Sequence, residues 1–60
     1  MQVTQIHAHA RQLLDAHGSK AIVEAARKAT ELENNGDRAQ AEIWRRIEAA
    51  LRHLRGPHQG

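Results

Sequence analysis

Two punctuation marks divide this chain into three helical spans and leave almost nothing between them. His17-Gly18-Ser19 is a stop followed at once by a start. Gly18 is placed to take the left-handed conformation that ends a helix, and Ser19 to cap the next one. Asn35-Gly36-Asp37 repeats the device, and Gln40, three residues after Asp37, completes a capping-box pattern. Connections this short make consecutive helices reverse direction sharply. The expected fold is all-α, with three short helices at about 3–17, 19–35 and 37–55 in a single domain spanning 1–55. The second and third helices form an αα-hairpin and the first closes over it. Gly56-Pro57 stops the third helix, and 56–60 reads as a flexible polar tail.

Apolar spacing supports each span. In the third, Ile43, Trp44, Ile47, Leu51 and Leu54 fall on one arc, with Ala50 extending its edge. In the first, Val3, Ile6, Ala10, Leu13 and His17 follow three-four spacing and Leu14 widens the stripe, while Thr4 offers a later N-cap. The second span presents Ile22, Ala25, Ala26, Ala29 and Leu32, and leaves Val23 outside the stripe. Its Glu24–Lys28 and Arg27–Glu31 spacings invite i,i+4 ion pairs, each worth only ~0.2–0.5 kcal/mol. An alanine-rich face permits close approach of a neighbour but buries little area.

That thinness limits what the chain can do alone. A 60-residue chain buries only about 60% of its unfolded surface. Of its 24 hydrophobic residues (40% of 60), 11 are alanine, and Phe and Tyr are absent. With no cysteine, neither a disulfide nor a thiolate metal site can supplement the core. Self-association or docking on another protein is the remaining route. The expectation is a homodimer or larger helical bundle, with contacts at Ile6, Leu13, Leu14, Ile43, Trp44, Ile47, Leu51 and Leu54. Trp44 reads first as a filler of the gap beside an alanine-rich neighbour, and also as an interface anchor.

Chemistry is sparse. His7 and His9 stand about 200° apart on a helix, and no two histidines sit at i,i+4, so no metal site is expected. His17 suits the carbonyl end of the first helix. The hydroxyls are Thr4, Ser19 and Thr30, and the glutamates lie among basic neighbours. No nucleophile–base pair or carboxylate pair stands out, so neither catalytic residues nor a cofactor is expected. Nine basic and seven acidic residues give a net charge of +2 and no strong single-sign field. Arg38, Arg45 and Arg52 nonetheless line one side of the third helix, with Arg46 and Arg55 nearby. Such a ridge could track phosphates, which makes a small nucleic-acid-associated or regulatory protein the alternative reading. Glu42–Arg46 and Glu48–Arg52 partly neutralise it. No apolar run approaches ~20 residues and no signal-peptide pattern is seen, so the cytoplasm and not a membrane is expected.

The landmarks His17-Gly18, Ala21, Ala25-Ala26, Ala29, Leu32, Gly36-Asp37, Trp44, Ile47 and Leu51 carry a resemblance. The stretch from about Leu13 to Leu54 resembles a group of short, uncharacterised bacterial helical proteins, a domain of unknown function with an HG…GD…WxxI…L pattern. The resemblance implies a helical fold and a bacterial origin. It implies no activity, because its landmarks are caps and core positions.

Overall fold

The computed structural model describes residues 3–55, and at Val3, Thr4 and Arg55 the backbone alone. It consists of three helices, α1 (Val3–His17), α2 (Lys20–Asn34) and α3 (Arg38–Arg55), with no strand among the described residues. The Gly56-Pro57 stop and the polar tail lie outside the described residues. Thr4 lies inside α1, so the helix does not wait for it as a cap.

Both glycine turns close as their sequences demand. Gly18 has φ +63°, and its N–H donates to the Leu14 carbonyl at 2.8 Å, the single bond of a left-handed helix end. Gly36 has φ +83°. Its N–H donates to the Glu33 carbonyl at 3.1 Å while the Asp37 N–H donates to the Leu32 carbonyl at 2.8 Å, the double closure of a Schellman motif. Asp37 then starts α3, its Oδ1 accepting the Gln40 N–H at 3.2 Å. Ser19 behaves otherwise. It already has helical angles, φ −66° and ψ −17°, and its side chain makes no cap bond. The turn leads so directly into α2 that the Gly18 carbonyl accepts the first bond, from the Ala21 N–H at 3.0 Å.

The need for glycine at position 36 is measurable. Nothing lies within 4 Å of where a Cβ would stand, so Gly36→Ala meets no clash and costs backbone strain alone. Placing an L-residue in the left-handed region costs about 1–2 kcal/mol, a drop of roughly 4–16 °C in melting temperature for a domain this small. An unchanged melting curve would show that the turn relaxes elsewhere.

α2 and α3 pack along their lengths as the expected hairpin, and α1 lies more on α3 than on α2. The buried interior holds Ile6 and Ala10 from α1, Ala21, Ala25 and Ala29 from α2, and Ala41, Ile47, Ala50 and Leu51 from α3. The inward line of α2 is thus Ala21-Ala25-Ala29, turned from the expected face. Ala21 replaces Ile22 at the centre, and Ile22, Ala26 and Leu32 are half-buried at its edges. Three small residues at i,i+4 let the α3 backbone approach, and the larger side chains are displaced to the flanks. Val23 is 58% exposed, as its position off the stripe implies. No described helix is long and apolar enough to cross a membrane.

Candidate interaction surfaces

The residues expected to make contacts fall into two sets. Ile6, Ile47 and Leu51 are consumed by the chain's own interior. Leu13, Leu14, Ile43, Trp44 and Leu54 pack against that interior but stay half-buried, as does Ile22. Beyond alanine, the buried core among the described residues therefore holds three large side chains, and a greater number sit at its rim. The cause is composition. With alanine lining its inward face, α2 adds no large side chain to the buried core.

Trp44 occupies a defined place on this rim. The His9 ring of α1 meets it edge-on, with centroids 5.5 Å apart and planes at 82°. This is the arrangement that the aromatic quadrupole favours. Sequence spacing could not show this pair, because it joins different helices and depends on how α1 settles on α3.

The arginines of α3 are differently engaged. The Arg45 guanidinium forks onto Glu33 of α2, donating from Nε to Oε2 at 3.3 Å and from Nη2 to Oε1 at 3.1 Å. It also donates to Glu48 Oε1 at 3.1 Å and to Thr30 Oγ1 at 3.4 Å. Thr30 in turn donates to the Ala26 carbonyl at 3.0 Å. The hydrogen bonds to Glu33 first, and then to Glu48, raise the Arg45 pKa above its already high ordinary value. Glu48 is the enclosed member of this network, its side chain 13% exposed, and it also accepts from Arg52 Nη2 at 2.8 Å. Arg46 stands 3.7 Å from Glu42, both well exposed. Arg38 has no ion pair among the described residues, and the Arg55 side chain lies outside them.

The acid-first pairs Glu42–Arg46 and Glu48–Arg52 form as their spacing implied, and the Arg45–Glu33 clamp across the hairpin was not foreseen. On α2, Glu24 reaches His17 Nδ1 of α1 at 3.5 Å in place of Lys28. Arg45→Gln should therefore lower the melting temperature slightly in dilute buffer. The difference should shrink in high salt, since exposed ion pairs are weak and screened. A gap that persisted in high salt would mean that the fork acts through packing instead of charge.

Among the described residues, no group of three or more His, Asp or Glu side chains is placed to hold a metal ion. Compared with known protein families, curated proteins and solved structures, the chain shows no significant match.

Proposed function

We propose that this chain is a non-enzymatic helical interaction module of the bacterial cytoplasm that covers its apolar rim by self-association or by docking on another protein. One observation carries the reading. Leu13, Leu14, Ile43, Trp44 and Leu54 remain half-buried around an interior built mostly of alanine. A core this thin supplies only ~3–5 kcal/mol, so covering the rim stabilises the fold as well as making the contact. Tryptophan at such a rim is a common anchor of protein interfaces.

The alternative, phosphate tracking by Arg38, Arg45, Arg46, Arg52 and Arg55, draws less support. Arg45 and Arg52 are held by Glu33 and Glu48, whereas the exposed Arg46 is only loosely paired with Glu42. Binding nucleic acid there would require breaking pairs already made.

Solution mass by light scattering, with and without nuclease treatment and across a hundredfold dilution, separates these readings. A stable multiple of 6.7 kDa supports self-association. A folded monomer at every dilution removes it and leaves docking on a different protein. A mass that falls only when nuclease is added favours the arginine alternative.

A further inference from the structure

A groove of about 300 Å³ lies between α1 and α3, lined by Ile6, His7, Arg46, Ala49, Ala50 and His53. Its composition sets it apart from three other grooves on the described surface. Those include Glu33 and Glu42, Glu31, and Glu48 respectively, so each carries at least one carboxylate beside its basic groups. This one carries none. Its apolar part is Ile6 and Ala50, both buried, with Ala49. Its polar part is two imidazoles and one guanidinium, contributed by both helices.

Placement of α1 on α3 creates the combination, because His7 and His53 lie far apart in the chain. Neither makes an ion pair among the described residues. The ion pair of Arg46 with Glu42, at 3.7 Å, joins side chains 61% and 70% exposed, so it yields readily to a better acceptor.

We propose that this groove binds the phosphate group of a small phosphorylated molecule that carries a short apolar stem. A guanidinium offers a planar fork of donors that matches phosphate oxygens, and each imidazole adds an N–H donor and, when protonated, a charge. The apolar floor receives the stem in the manner usual for small-ligand sites, where a few polar groups fix orientation over apolar walls. Three donors of positive or neutral charge around one groove, with no carboxylate among its lining residues, suit a dianion better than a single carboxylate. The site is independent of the apolar rim and does not rest on the self-association reading.

The imidazole ring-proton signals of the histidines report on it directly. Phenyl phosphate is titrated into the full chain, with sodium chloride added in parallel to matched ionic strength. The expected result is a saturable movement of the His7 and His53 signals, with those of His9 and His17 still. Inorganic phosphate, which lacks the stem, should bind the same signals more weakly. Arg46→Gln, an exposed change that should leave helicity intact by circular dichroism, should weaken binding by about tenfold, the scale of one charge-assisted hydrogen bond. Movement no different from that in chloride, or an affinity unaltered by Arg46→Gln, overturns the proposal. A short single-stranded oligonucleotide that binds these same signals more tightly than phenyl phosphate overturns the small-molecule assignment.

Discussion

Leu51→Ala should leave this chain largely unfolded at room temperature. Leu51 is fully buried at the meeting of the three helices, one of the two largest side chains so enclosed. Truncating such a leucine costs about 2–5 kcal/mol, the spread reflecting how far the cavity collapses. Collapse is limited where the cluster is alanine, at Ala10, Ala21, Ala25 and Ala50, since these have no side chain to swing into the gap. Against a total of roughly 3–5 kcal/mol, the loss is comparable to the whole stability. Far-UV circular dichroism should show a broad, low transition or none. Leu51→Met, which keeps the volume, should cost less than about 1.5 kcal/mol and retain a cooperative melt. If Leu51→Ala melted within a few degrees of the parent, the described interior would not be the stabilising core.

How much of this was legible beforehand follows the range of each signal. The helix boundaries are local. Gly18, Gly36 and Asp37 act on their own backbone neighbours, so the turns and the hairpin could be read directly. The stripe of α3 is also local, and Ile47 and Leu51 sit at its centre as its periodicity implies. What could not be read depends on rotation and register between helices. The face of α2 is nearly uniform in alanine, so its pattern does not say whether Ala21 or Ile22 points inward. The neighbour's bulk decides. The clamp between Arg45 and Glu33, the His9–Trp44 contact and the groove joining His7, Arg46 and His53 share this origin. Each pairs residues far apart in sequence. Ser19 shows the opposite failure, a good local signal overridden because a two-residue turn already sets helical angles there.

Trp44→Ala should reveal whether the rim is a finished surface or half of a contact. The ring is half-buried, so truncation should cost below the ~3–5 kcal/mol of a fully enclosed tryptophan, about 2–3 kcal/mol. Of that, the edge-on contact with His9 accounts for about 0.5–1.5 kcal/mol. A double-mutant cycle with His9→Ala isolates this share, since residues in contact couple and distant ones add. The remainder comes from apolar surface shared with the interior and, if the chain self-associates, with a second copy. The two contributions differ in their dependence on concentration. Loss of an intramolecular contact lowers the melting temperature equally at every dilution, whereas loss of a subunit contact removes the dependence of melting temperature on concentration. Trp44→Phe keeps an aromatic partner for His9 but shortens the rim. It should preserve most of the fold and weaken association. If Trp44→Ala changed neither melting temperature nor mass, the rim at Trp44 would serve neither the interior nor a subunit contact.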